Sequence, residues 1–145
     1  MKDVVISISS FHTYGLEEED NIEFTTDGFY MYDGEIAQMS YAETEVTGLP
    51  GTRTTLTVMP DKVIIDRRGG INSRMEFVPG GKDNFQYGTP YGTANMGIET
   101  RSVKHSMTEN GGSVDIDYVV NMEHAVVTRN RFQIRVKEIG EQANG

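Results

Sequence analysis

The stretch SVDIDYVVNMEHAVVTRNRFQIRVKE, residues 113–138, decides the fold. Val114, Ile116, Tyr118, Val120 and Met122 alternate with Asp115, Asp117, Val119, Asn121 and Glu123. Beyond a turn near Glu123-His124, Val126, Phe132, Ile134 and Val136 alternate with Val127, Arg129, Arg131, Gln133, Arg135 and Lys137. Side chains on a strand point to opposite faces in succession, so a period of two over this length predicts a hairpin with one buried and one wet face.

Working outward, the same period recurs along the chain. It predicts strands near 3–12, 20–33, 36–47, 52–59, 62–68, 72–78, 84–88, 92–107, 113–122 and 126–138. Between them stand Asp33-Gly34, Pro50-Gly51, Pro60-Asp61, Gly69-Gly70, Pro79-Gly80-Gly81 and Asn110-Gly111-Gly112. Glycine admits positive φ and proline presets the turn, so these are breakpoints with a mechanism. Gly28 is expected to divide the second run in two, as glycine inside a strand often marks a bend. No segment holds a helical period, and residues 140–145 read as a frayed tail.

Ten antiparallel strands with short connections form either a sandwich or a barrel. Greek keys need long crossings, so the short turns favour an up-and-down barrel, whose closure also removes exposed edges. With 145 residues, one domain spanning 1–145 is the natural organisation, large enough to bury roughly two-thirds of its unfolded surface.

The absence of cysteine removes disulfides, thiolate zinc sites and Cys nucleophiles. A net charge of −9 disfavours nucleic acid and anionic membranes, whose phosphates it would repel. The first residues lack the apolar core of a signal peptide, and no run approaches a membrane span, which together lead us to expect a cytoplasmic protein.

Parity assigns the faces. Ile6 and Ile8 mark the inner set of the first strand; Ile22, Phe24, Tyr30 and Tyr32 that of the second; Met39 and Tyr41 that of the next. Glu43 then falls on the inner parity, as do Arg67 beyond Val63 and Ile65, and Thr128 and Asn130 before Phe132. A carboxylate in an apolar interior must neutralise or find a partner. Arg67 is the expected partner of Glu43, with Tyr41, Tyr118 or Asn130 adding hydrogen bonds. Three readings follow: a satisfied polar network, an anchor for a small ligand, and a catalytic acid at Glu43. A bulge in 36–47 would turn Glu43 outward. Outside, Asp115 and Asp117 can face Arg129, Arg131 or Arg135, making the Arg129/Arg131/Arg135/Lys137 stripe a solvated, charge-paired face.

Other chemistries find no support. His12, His105 and His124 lack metal-ligand spacing, so no metal and no cofactor is implied. Gly80-Gly81-Lys82-Asp83 lacks the rest of a phosphate loop, there is no G-x-S-x-G elbow, and spacing suggests no Ser-His-Asp set. Glu17-Glu18-Glu19-Asp20 lacks the alternation of a calcium loop and reads as a wet connection.

Residues 41–51, from Tyr41-Ala42-Glu43-Thr44 to Leu49-Pro50-Gly51, followed by Thr54-Thr55-Leu56, resemble the YwiB-like family of small bacterial proteins. So do Arg67-Arg68-Gly69, Met75-Glu76-Phe77, Thr89-Pro90-Tyr91-Gly92-Thr93 and Asn130-Arg131-Phe132. The likeness spans nearly the whole chain in order. It implies a lipocalin-like (calycin-type) all-β meander closed into a barrel of roughly eight to ten strands, in a cytoplasmic bacterial protein. It carries no established activity.

Tyr41, Glu43, Thr54, Arg67, Gly69, Tyr87, Thr89, Pro90, Tyr91, Gly92 and Asn130 match its motifs most closely. One departure is Glu123-His124, where relatives can carry Asn-Gly; Glu and His resist the positive φ of a two-residue turn, so a longer or bulged turn is expected. The leading functional expectation is non-catalytic binding of an amphipathic or acidic small molecule inside the barrel, at Tyr41, Glu43, Arg67, Tyr118 and Asn130, with Thr89 and Tyr91 as loop candidates. The alternatives are a protein-interaction or structural barrel with a filled core and, third, an enzyme using Glu43.

Overall fold

The computed structural model describes residues 2–14, 18–44, 49–122 and 125–139. Ten strands follow one another with no helix among the described residues: β1 Lys2–Tyr14, β2 Glu18–Tyr32, β3 Ala37–Ala42, β4 Thr52–Val58, β5 Val63–Gly69, β6 Ser73–Phe77, β7 Lys82–Thr89, β8 Gly92–Thr108, β9 Gly111–Met122 and β10 Ala125–Glu138. They form one antiparallel sheet in the order β6-β5-β4-β3-β2-β1-β10-β9-β8-β7. Sequence neighbours pair throughout, β1 pairs with β10, and β6 meets β7 to bring the sheet nearly full circle. The up-and-down barrel predicted from short turns is the architecture found.

The seam between β6 and β7 differs from the others. Among the described residues it is joined by one bridge, in which the backbones of Asn72 and Gly88 exchange hydrogen bonds at 2.9 and 2.8 Å. Nearby, the Gly80 N–H donates to the Thr100 carbonyl and the Thr100 N–H to the Gly81 carbonyl, both at 3.0 Å. Thr100 is available for this because the β8–β9 register slips there, leaving Arg101 as an extra residue.

Two expectations change in detail. Gly28 does not divide β2, whose pairing with β1 runs without interruption from Glu18 to Tyr30. The glycine is needed for close approach instead: a Cβ there would sit 2.4 Å from Ile6 Cδ1 and 2.5 Å from the Ser40 carbonyl oxygen. The third strand stops at Ala42, short of the expected 47, and positions 45–47 lie outside the described residues. Glu123-His124, Glu17 and the 140–145 tail also lie outside them, as do the side chains of residues 18–20. In the β9–β10 hairpin, Ala125 pairs with Met122 and the register slips between Val126 and Thr128. The hairpin is therefore bulged, as expected, with the extra residue in β10.

Antiparallel alternation gives the barrel two ends. The starts of the odd strands and the ends of the even strands share one end, where Val4, Val58, Val63, Val114 and Val136 are buried with Ile6, Leu56, Ile65, Phe77, Ile116 and Ile134 at 0–3% exposure. Each fully buried aliphatic side chain of this kind contributes about 1.5–3 kcal/mol. At the opposite end the inward positions turn polar. Outside, Arg131 makes a two-pronged contact with Asp115, Nη2 at 2.9 Å and Nε at 3.3 Å, and Gln133 donates to the same carboxylate. These bonds, the guanidinium contact first, hold the Asp115 carboxyl below the usual range.

Candidate functional site

Inward parity holds without a break from Ala37 through Met39 and Tyr41 to Glu43, each buried. Glu43 lies one residue past β3, yet its N–H still donates to the Thr52 carbonyl at 2.8 Å, so the alternation continues and the carboxylate faces in. No bulge intervenes. Thr54 Oγ1 donates to Glu43 Oε1 at 2.7 Å inside the barrel.

The ion pair expected between Glu43 and Arg67 does not form: none of the ion pairs among the described residues joins them. The reason is the strand order. Glu43 extends β3 and Arg67 lies on β5, with Thr54 of β4 between them and paired with both Tyr41 and Arg67. Each strand step is about 4.8 Å, so the threonine hydroxyl reaches the carboxylate first. Arg67 Nε is consequently buried with no hydrogen-bond partner. The same is true of Ser73 Oγ, on the residue facing Arg67 across β5–β6.

A cavity of about 240 Å³ opens at this polar end. Tyr41, Glu43, Arg67 and Tyr118 line it, with Ser10 and His12 of β1. Ile8, Ile22, Phe24, Leu49, Tyr87 and Phe132 supply the apolar wall. Phe24 meets Tyr41 edge-on at 6.1 Å between ring centres, and Phe77 meets Tyr118 at 4.8 Å, which locks both phenols in place. Burial pushes the Tyr41 phenol well above its ordinary pKa; the Glu43 charge adds to this and the Arg67 charge opposes it. Burial likewise raises Tyr118, again against Arg67. Both therefore stay protonated donors near neutral pH, beside a guanidinium.

Four of the five interior residues singled out in the sequence thus share one cavity. Asn130 stands behind it, 5% exposed, with its amide against the His12 ring. The loop candidates do not join them. Thr89 shapes the β7–β8 turn, its Oγ1 accepting from the Tyr91 N–H at 3.1 Å and donating to the Gly92 carbonyl at 3.0 Å, while Tyr91 is fully exposed. Sequence reading missed Ser10 and His12 as wall residues, although both continue the even parity of Ile6 and Ile8. It also missed Thr54 as the partner of Glu43. Among the described residues no three His, Asp or Glu side chains stand close enough together to hold a metal.

A nearly closed antiparallel barrel of ten strands, apolar at one end and holding a small polar cavity at the other, is the class that this geometry defines. The chain belongs to the family described as a domain of unknown function, DUF1934, whose model matches residues 6–134. It is similar to the uncharacterized beta-barrel protein YwiB of Bacillus subtilis (strain 168), at 26% identity over 113 residues, 75% of this chain and 78% of that one. The crystal structure of the ywiB protein from Bacillus subtilis matches with a TM-score of 0.84 and 21% identity, covering 94% of this chain and 92% of the other. The resemblance seen in the motifs is therefore met at the level of family and fold. Neither likeness brings an activity with it.

Proposed function

We propose that the barrel reversibly binds a small acidic molecule in the cavity at its polar end. One observation carries the reading: Arg67 lines a cavity shared with two protonated tyrosines, and no ion pair among the described residues neutralises its charge with Glu43. A guanidinium on the wall of a half-dry cavity favours an anion, and a carboxylate matches its planar fork of donors. Size narrows the ligand. About 240 Å³ is below the usual range for drug-sized ligands and equals roughly eight waters at ~30 Å³ each, which fits a short acid better than a long amphipath. The lipocalin-like architecture implied by the family resemblance, a single domain and a cytoplasmic setting are all consistent with this role.

The test begins with a native mass spectrum of gently purified protein beside the same sample denatured, followed by calorimetric titration with acetate, butyrate and benzoate. Arg67→Met should weaken the best of these by roughly tenfold to a hundredfold, the 1.5–3 kcal/mol of a charged hydrogen bond, while leaving the melting temperature nearly unchanged. A wild-type chain that binds none of them, with a large stability loss in Arg67→Met, would mean that the polar end is a structural network. A second reading, a protein-interaction surface, rests on Phe29 and Met31. They point outward from β2 at 41% and 48% exposure, with the Arg53 guanidinium 5.6 Å above the Phe29 ring.

A further inference from the structure

We infer that the polar end also carries an acyl-transfer site, with Ser10 as nucleophile, His12 as general base and Asn130 as the residue that positions the imidazole. The inference rests on reading the cavity as a site for a small acid, and it identifies that acid as the product of ester hydrolysis.

The geometry begins with β1. Ser10 and His12 are two residues apart on one strand, so their side chains share a face, and both line the cavity. Ser10 Oγ lies 2.8 Å from His12 Nε2. The β1–β10 register places Asn130 directly opposite His12, and Asn130 Oδ1 lies 2.5 Å from His12 Nδ1. Asn130 Nδ2 donates to Thr128 Oγ1 at 2.8 Å, which turns the amide carbonyl toward the ring.

A carbonyl oxygen only accepts, so Nδ1 carries the ring proton. The neutral ring then has its lone pair on Nε2, aimed at the serine hydroxyl. A serine activated by a histidine whose far nitrogen is fixed by a third side chain is the arrangement that makes a hydroxyl nucleophilic. Asn130 is buried behind the ring, whereas Ser10 and His12 face the open volume. The remaining requirement is a donor for the oxyanion. Arg67, which lines the same cavity as Ser10 and His12, supplies it through its guanidinium.

The reaction balances as ester plus water giving acid plus alcohol. Ser10 Oγ attacks the ester carbonyl carbon as its proton passes to His12 Nε2, and the negative oxygen is held by Arg67. The C–O bond to the alcohol breaks, and the alcohol leaves with the proton from Nε2. Water then attacks the acyl-Ser10 carbonyl and gives a proton to Nε2. Ser10 Oγ recovers that proton on departing, and the acid left behind gives its remaining proton to solvent and sits on Arg67 as the carboxylate. The cavity volume limits the acyl group to a short chain.

The full chain is treated with diisopropyl fluorophosphate and read by intact mass and peptide mapping, with p-nitrophenyl acetate as substrate. Butyrate titration of every variant serves as the folding and binding control. The expected result is one adduct on Ser10, none in Ser10→Ala, and labelling and turnover slowed at least about a hundredfold in His12→Gln. Asn130→Asp, whose carboxylate accepts the same Nδ1–H, should stay within about tenfold of wild type, while Asn130→Leu loses activity.

A chain that binds butyrate but shows no adduct at Ser10 overturns the acyl-transfer site and leaves the acid-binding reading intact. Equal labelling of wild type and His12→Gln overturns it too. A labelled Ser10 in a chain that takes up no butyrate supports the Ser-His-Asn set and removes the reversible-binding reading.

Discussion

The two ends of this barrel are made by the same strands under the same alternation, yet they meet opposite demands. At one end the buried inward side chains are overwhelmingly aliphatic or aromatic, and residues such as Leu56, Val63 and Phe77 are sealed from solvent. At the other, Ser10, His12, Glu43, Thr54 and Arg67 stand on the continuation of those same inward rows. One strand can therefore hold the fold with one half and present chemistry with the other. On β4, Leu56 packs the core while Thr54, two residues earlier, holds the carboxylate of Glu43. The lesson is that rigidity at the polar end is borrowed from the apolar end through shared strands.

The comparison can be broken most forcefully at the apolar end. Leu56→Ala removes a fully buried side chain from a close-packed layer and should cost about 2–5 kcal/mol in urea unfolding, without changing acid affinity in the chain that remains folded. An affinity loss as large as the stability loss would mean that the ends are not separable. Thr54→Val, at the polar end, takes the hydroxyl from Glu43 and should cost about 1–3 kcal/mol. Pairing it with Glu43→Gln in a double-mutant cycle should show strong coupling, since one hydrogen bond joins them.

The smallest effect sharpens the contrast by pH. Tyr41 and Tyr118 at the polar end are raised by burial, and Tyr30, whose hydroxyl donates to the Thr108 carbonyl at the apolar end, is pushed up to about 12 by burial and by its neighbour Tyr32. A phenol whose pKa is higher folded than unfolded holds its proton better in the folded chain. Its stabilisation is complete below about pH 10 and fades as pH climbs toward the folded value. Ultraviolet titration should therefore show these three phenols ionising together with alkaline unfolding, and nothing at neutral pH. Early, independent ionisation of Tyr41 would place its hydroxyl in open water.

The fold was legible because a period of two needs only local sequence, and turn glycines mark where it stops. Parity carried this into the site, since Tyr41, Glu43, Arg67 and Tyr118 each continue an apolar row. It failed where an answer depended on which strands are neighbours. The Glu43–Arg67 pair looked natural in sequence, but β4 lies between them. His12 and Asn130, 118 residues apart, become partners only through the β1–β10 register. Ser10 and His12 were passed over because polar residues at the end of an apolar row look like its termination rather than its continuation. Gly28 misled for a related reason: what it provides is clearance for Ile6 and the Ser40 carbonyl on neighbouring strands, and those neighbours are not visible along the chain.

The thin seam between β6 and β7 has a consequence for how the chain could be rewired. β1 and β10 lie side by side, with Val4 opposite Glu138 and the Ile139 N–H bonded to the Asp3 carbonyl. The least-bonded seam lies at the exposed 78–80 turn instead. A circular permutant opened there and joined across β10 and β1 would run strand by strand from one edge of the sheet to the other. Its most distant pairing would become a hairpin, leaving the thin β6–β7 seam and the packing across it, such as Phe77 on Tyr118, to wait for the ends to meet. Such a chain lowers its contact order without altering a single core residue, and faster folding is the outcome that topology favours.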